Sequence, residues 1–520
     1  MNLNINDTFN KELPADKITE NNRRQVLDAC FSFVTPRVPS QPKLIHYSSE
    51  LAIELGITKE DIKSELFLNT FSGVAIYPNT KPFAMCYGGH QFGNWAGQLG
   101  DGRAINLFEV EYNNKHWALQ LKGAGETPYS RTADGFAVLR SSIREHLCSE
   151  AMYHLGVPTT RSLSLTLTGD DVLRDVMYDG HPAYEKGAVV CRVAPSFIRF
   201  GNFQILAARG DEKILQQLTD YTIKHHFAHI ENKDKAGYLQ FFREVVDKTV
   251  IMVVAWQRVG FVHGVMNTDN MSALGLTIDY GPYGWIENYD TDWTPNTTDA
   301  HGKRYRFGNQ ANIALWNLVQ LANALFPLIN DAPALETILH DYTKQFDLQY
   351  ANMMLQRIGL RNQENKVITQ TLEKNLTASE TDMTIFFRKL SSVQKDIDTP
   401  ESSLNKVWDA FYNPKEINNE VKENWLNWFN EYIALLKTDE LNDTERALEM
   451  NTVNPKYVLR NYMAQLAIDA ANKEDYTLIN ELHTLLKQPY SEQPENEKWF
   501  VKRPDWAREK IGCSMLSCSS

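Results

Sequence analysis

The sequence predicts an α+β fold in which a small β-rich part precedes a large α-helical part, with a cleft between them. Two observations carry this. From about Pro82 to Arg199, short β-type runs alternate with Gly-rich turns, interrupted by one helical stretch. From about Asp211 onward the apolar residues recur mostly at helical spacing. The 520 residues suffice for more than one core, and 43% hydrophobic with 23% charged residues is ordinary for a globular chain.

Residues 1–75 read as a mixed N-terminal extension. Their start, MNLNINDTFNKELPADK, lacks the apolar segment of a signal peptide and is too acidic for a transit peptide. Residues 76–205 form the β-rich unit. WALQLKG (117–123) alternates like a strand, as do TRSLSLTLTG (160–169) and GAVVCRVA (187–194). Between them Leu139, Ile143, Leu147, Ala151 and Leu155 recur every four residues, which predicts a helix over 139–156 that Gly156 and Pro158 end.

Residues 206–330 are expected to carry the first large helices. One spans 241–261 and leads into a polar loop, and another spans 311–329. Residues 331–520 read as a helical C-terminal region with a Cys-containing tail. There Trp425, Trp428, Phe429 and Tyr432 mark one helix face. Asn454-Pro455 offers an N-cap followed by proline at the first helical position.

The formal net charge of -12 argues against a nucleic-acid binder or an anionic-membrane binder. No uninterrupted apolar run approaches a membrane span, so cytoplasmic residence is expected. Cys30, Cys86, Cys148 and Cys191 stand alone in apolar surroundings, as buried reduced thiols do. No Cys/His spacing resembles a zinc site.

The densest chemistry lies in FVHGVMNTDNMSALGLTID, Phe261 to Asp279. A protein kinase carries His-Arg-Asp, an Asn five residues after that Asp, and Asp-Phe-Gly after the next strand. Here His263, Asn270 and Asp279-Tyr280-Gly281 stand at the His, Asn and Asp-Phe-Gly positions. The position of the kinase base is Val265, which cannot accept a proton. Asn270 and Asp279 offer the hard oxygens that Mg²⁺ prefers, and SALGLTI before Asp279 looks strand-like. Asp269, beside Asn270, could accept a proton if it points into the cleft. A plain Asx-rich turn at Asn267, Asp269 and Asn270 is the other reading. A kinase-like layout of two lobes follows from the order of elements.

Upstream, Lys122 ends a strand and Glu145 sits on the next helix, the arrangement in which a carboxylate steadies a phosphate-binding lysine. A surface ion pair is the alternative. In YGGHQFGNWAGQLGDGRA (87–104), Gly100, Gly102 and Arg103 are the sharper candidates for phosphate, although the spacing fits neither a Walker motif nor a clean Gly-x-Gly-x-x-Gly. Asp134-Gly135 ends a polar loop near the same site. Arg192 and Arg199 lie among apolar neighbours and must find acceptors, either internal carboxylates or phosphate.

Taken together, these segments resemble the selenoprotein O family, also called SelO or YdiU. The resemblance also covers RFGNQ near 306–310 and NPKYVLRNY at 454–462. It implies a kinase-like fold that binds ATP reversed, presents the α-phosphate, and passes AMP to Ser, Thr or Tyr hydroxyls of proteins. By matching positions it implies Lys122 and Glu145 as the Lys–Glu pair. Gly100, Gly102, Arg103, Asp134, Gly135, Arg192 and Arg199 become nucleotide-binding positions. Asn270 and Asp279 become the ligands of Mg²⁺ (with Mn²⁺ as the alternative), and Asp269 the proton acceptor. A link to oxidative stress is also implied.

The tail departs from the family pattern. Cys518 stands where animal members carry selenocysteine, but Cys513 is too far from it for Cys-x-x-Cys. UMP transfer from UTP, ordinary phosphoryl transfer and a non-catalytic ATP-binding scaffold are the competing readings.

Overall fold

A computed structural model describes residues 1–517. The strands in chain order are β1 (Phe31–Phe33), β2 (Lys43–Tyr47), β3 (Phe83–Met85), β4 (Gly88–Gln91), β5 (Asn94–Gln98), β6 (Ala104–Tyr112), β7 (Lys115–Lys122), β8 (Ala137–Val138), β9 (Arg161–Arg174) and β10 (Ala183–Ala194). Eight of them form one antiparallel sheet, ordered β1-β3-β6-β7-β10-β9-β2, with β8 paired to β10. β4 and β5 make a separate hairpin. The first 75 residues are therefore integral to the sheet, because they supply both of its outer strands. Strands this short leave no legible periodicity.

Register decides which side chains face the cleft. Side chains alternate along a strand, so Gln120 and Lys122 share a face of β7, while Leu119 and Leu121 point into the opposite apolar core. Asn106 of β6 and Arg192 of β10 both pair with Gln120, and directly paired residues face the same way. A polar stripe thus crosses three adjacent strands of an otherwise apolar sheet.

Helix α1 (Leu139–His154) packs on β9 and β10, and its apolar row is buried. Helices α2 (Phe200–Arg209), α3 (Lys235–Val259), α4 (Gln310–Ile329) and α5 (Ala332–Arg357) follow; the last three fall where helical spacing predicts them, whereas α2 begins before Asp211, where the spacing predicts none. Asp234 caps α3 through the N–H groups of Ala236 and Gly237. α4 departs from one expectation: Phe307–Ile329 is long and apolar enough to cross a membrane, with a mean hydropathy of 1.3. Half of that window is buried, and α4 packs against α2, α3 and α5.

The later helices α6 (Asn419–Thr438), α7 (Asn461–Ala471) and α8 (Thr477–Leu486) join the same apolar interior, which runs from Phe9 to Cys513. α6 buries Trp425, Trp428, Phe429 and Tyr432. Asn454-Pro455 does not start a helix. Asn454 closes the helix Asp443–Val453, and its amide bridges to Arg357, donating to the Arg357 carbonyl and accepting from Nε. The residues after it run irregularly to Arg460, which precedes α7.

Five free cysteines are buried: Cys30, Cys86, Cys148, Cys191 and Cys513. Cys518 lies outside the described residues. The tail is docked as far as Leu516, whose N–H donates to the Pro295 carbonyl and whose carbonyl accepts from Thr297.

Arg460 ties this C-terminal part to the rest. Its guanidinium reaches Glu287 at 2.6 Å and Asp382 at 2.7 Å, and all three groups are buried. Arg460→Ala would leave two buried carboxylates without the cation that bridges them. It is expected to lower the unfolding free energy by about 3–5 kcal/mol, measured by urea denaturation. A loss below about 1 kcal/mol would show that the pair is solvated or neutral instead.

Candidate active site

The polar stripe forms one wall of a cleft of about 650 Å³. Among the predicted residues, Gly100, Gly102, Arg103, Lys122, Asp134, Gly135, Arg192, Asp269, Asn270 and Asp279 line it. Glu145 and Arg199 stand behind the lining and hold residues that reach it.

Lys122 Nζ lies 2.5 Å from Glu145 Oε2, and the pair is buried, which excludes the surface ion pair. Burial pushes the lysine pKa down, and Glu145 works against that shift. Arg192 reaches Glu145 Oε1 at 3.3 Å and Asp279 Oδ1 at 2.6 Å, while Arg199 reaches Asp279 Oδ2 at 2.5 Å. Both arginines thus rest on internal carboxylates, and Arg192 also lines the cleft. Burial alone would raise the Asp279 pKa, but Arg199, Arg192 and Lys122 hold it well below the usual carboxylate range. Asp279 itself sits at φ +58°, a left-handed conformation that a rigid surround must maintain.

The loop opposite is built from Phe261–Val262, which follows α3 and pairs with Gly284–Trp285. Amide side chains of α4 fasten it. Gln310 accepts from the His263 N–H and donates to the Phe261 carbonyl, and Asn317 donates to the Met266 carbonyl. Buried His263 accepts from the Val265 N–H at Nδ1, so Nε2 carries the proton donated to the Ile278 carbonyl at 2.9 Å. That bond joins the loop to the residue before Asp279. Gly264, at φ +76°, allows the backbone to pass the Pro282 carbonyl, since a Cβ there would lie 2.3 Å from that oxygen.

Residues 272–278 are not the strand that their composition suggests. The Gly275 N–H turns back to the Ser272 carbonyl with Gly275 at φ +64°, and only isolated bridges tie the segment to Pro158–Thr160 and Arg199. Nor is the Asn267–Asn270 segment a self-contained Asx turn. Asn267 Oδ1 accepts from Tyr305 Oη at 2.6 Å and from the Phe92 N–H at 3.2 Å. Asn270 Nδ2 donates to the Val265 carbonyl at 2.9 Å, and its Oδ1 has no hydrogen-bond donor among the described residues.

Asp269 is buried at the cleft. Its Oδ2 accepts from Gln91 Nε2 at 3.3 Å, and Oδ1 finds no hydrogen-bond partner among the described residues. Burial pushes its pKa up to about 6, against the pull of Arg199.

The sequence reading missed three residues. Arg174, at the end of β9, lines the cleft and is held by Asp134 through two bonds of 2.7 and 2.9 Å. Asp101 faces Arg199 from 4.0 Å, and Gln91 holds Asp269. Gln91 and Asp101 lie inside the Gly-rich 87–104 segment, whose glycines and Arg103 carry the sharper phosphate signal, while Arg174 lies in no motif and reaches the cleft only through the tertiary fold.

Comparison with known proteins gives this geometry its class. The protein nucleotidyltransferase YdiU of Flavobacterium johnsoniae is 63% identical over 521 residues, covering 100% of both chains. Those of Aromatoleum aromaticum and Rhodopirellula baltica are 53% and 52% identical, covering all of this chain and 100% and 99% of the relatives. The protein is a nucleotidyltransferase by class. A family model described as Protein adenylyltransferase SelO matches residues 17–487, and the chain belongs to the SelO family.

Gly89 tests the placement of Asp269. A Cβ on Gly89 would lie 2.8 Å from Asp269 Oδ1, so Gly89→Ala must displace that carboxylate. The expected result is a nucleotide-transfer rate lowered roughly ten- to a hundredfold. The cost in stability, by urea denaturation, should be about 1–3 kcal/mol. An unchanged rate would show that Asp269 need not hold its position.

Proposed function

We propose that this chain is a protein adenylyltransferase with a two-lobed, kinase-like arrangement, transferring AMP from ATP to Ser, Thr or Tyr hydroxyls of proteins with Mg²⁺. One observation carries the reading. The kinase base position is the buried Val265, whereas Asp269, four residues on in the same loop, brings a carboxylate with an unpartnered oxygen to the cleft; Asp101 Oδ1 is also unpartnered there but faces the Arg199 guanidinium.

Arg103, Lys122, Arg174 and Arg192 face the cleft with fixed positive charge, which suits a triphosphate. The acceptor hydroxyl oxygen bonds to the α-phosphorus, the α–β bridging P–O bond breaks, and pyrophosphate leaves. The hydroxyl proton goes to Asp269. A carboxylate with a pKa of about 6 is ionised at neutral pH and is a better acceptor than an ordinary one.

Asn270 and Asp279 would hold Mg²⁺, and their chemistry fits it. Asn270 Oδ1 is a free neutral oxygen, Asp279 is firmly ionised, and both are hard donors at the same cleft. The ion, when bound, neutralises charge on the phosphates. Arg192 contributes from the chain itself, since it both steadies Asp279 and lines the cleft.

Incubating the protein with a protein acceptor, Mg²⁺ and ATP labelled on either the α- or the γ-phosphate tests this directly. The α-label is expected to remain on protein and the γ-label to be lost. Retention of γ-label, or transfer from UTP outpacing transfer from ATP, would overturn it.

Asp279→Ala is expected to reduce transfer to below about one-hundredth while the circular dichroism spectrum stays that of the folded chain. Full activity in a folded Asp279→Ala protein would remove the metal-ligand role. Asp269→Asn should lower kcat by about 10²–10⁴-fold while nucleotide still binds.

A further inference from the structure

Away from the cleft, three histidines from distant parts of the chain meet. His46 lies on β2, His146 on α1 and His483 on α8. One ring nitrogen from each lies within 4.8 Å of the others, with no carboxylate in the set. His46 Nδ1 and His146 Nε2 are 2.8 Å apart. The His146 and His483 rings stack at 5.9 Å, and the His46 and His483 ring centroids are 4.5 Å apart.

Several features show that this is a built arrangement. A register shift lies between Leu44 and His46 on β2, with Ile45 as the extra residue. Such a bulge re-aims the side chain that follows it, so His46 does not repeat the facing of Leu44. His146 Nδ1 lies 2.6 Å from Ser162 Oγ, and a donor bond there leaves Nε2 as a bare lone pair directed at His46. His483 is 95% buried, and its Nε2 has no partner among the described residues. An unpaired buried ring nitrogen is costly unless something else satisfies it.

We propose that His46, His146 and His483 form a three-imidazole site for Zn²⁺. Zinc takes imidazole nitrogens at about 2.0–2.1 Å in tetrahedral geometry, which sets ligand nitrogens roughly 3.3 Å apart. His46 and His146 need to separate by about half an ångström, and His483 to approach by up to about 1.5 Å. His46 stands on an outer strand and is only partly buried, which provides both the adjustment and the entry path.

Metal replaces the hydrogen now shared between His46 and His146. That hydrogen moves to the other nitrogen of His46, a ring that also has the Asn480 side chain within hydrogen-bonding reach. No net proton is released. The fourth position is left to water. A filled site pins α1, which carries Glu145 next to His146, to an outer strand and to a helix near the C-terminus.

The test uses the full chain, free of any histidine tag and stripped of metal with chelator. Titration with Co²⁺, a spectroscopic substitute for zinc, is expected to give about one equivalent with intense tetrahedral visible bands, which Zn²⁺ abolishes. His46→Gln and His483→Gln should each weaken Co²⁺ binding roughly tenfold or more. Absence of tetrahedral bands, or equal affinity in both histidine variants, would overturn the proposal. Should those variants fail to fold, crystals of the wild-type protein soaked in Zn²⁺ decide. An anomalous peak between the three rings supports the site, and its absence refutes it.

Discussion

Asp279 is clasped by two buried guanidiniums, and the shape of the cleft depends on that clasp. Arg192 comes from the sheet, Arg199 from the entry to α2, and Asp279 from the loop after the Asn270 turn. None of the three can be buried alone, because an unpaired charge in an apolar surround costs several kcal/mol. Their mutual need therefore fixes the sheet, the helix and the loop relative to one another. Arg192 extends the constraint to Glu145 and, through it, to Lys122. An apolar trio of equal volume could be as stable, but it would present no polar surface to a ligand.

The charges in the cleft are largely paired, unlike the balance of the whole molecule. A chain with a formal charge of -12 repels extended polyanions at long range. In the cleft, Arg103, Lys122, Arg174 and Arg192 stand among Asp101, Asp134, Asp269 and Asp279, and most of these cations rest on carboxylates. A small ligand there meets both signs of charge at short range.

Much of this site was legible in the sequence, for a physical reason. The His263–Asp279 segment folds as one loop, so the spacing of its polar residues is also their spatial relation. Lys122 and Glu145 were legible because one ends a strand and the other sits on the next helix, the order in which a kinase-like fold pairs a lysine with a carboxylate. Arg174 was not, because a strand end with no pattern of its own reaches the cleft only after β9 has paired along its length. The 272–278 run was misread because its apolar composition is satisfied by burial in a turn as well as in a strand. Asn454-Pro455 was misread because asparagine closes a helix as readily as it opens one. β1 and β2 were missed since three and five residues carry too little periodicity to stand out from loop.

The provenance of those two outer strands bears on how the protein is made. A chain leaving the ribosome exposes Lys43–Tyr47 early, yet Lys43 pairs with Leu167, which is synthesised much later. His46 waits longer still for His483, and Arg460 emerges long after the carboxylates it neutralises. All eight strands end by Ala194, so the sheet can pair once that stretch has emerged. What waits for the C-terminal region is the burial of His46 and the neutralisation of Glu287 and Asp382, so an assembled sheet still carries unsettled polar groups until the last helices dock.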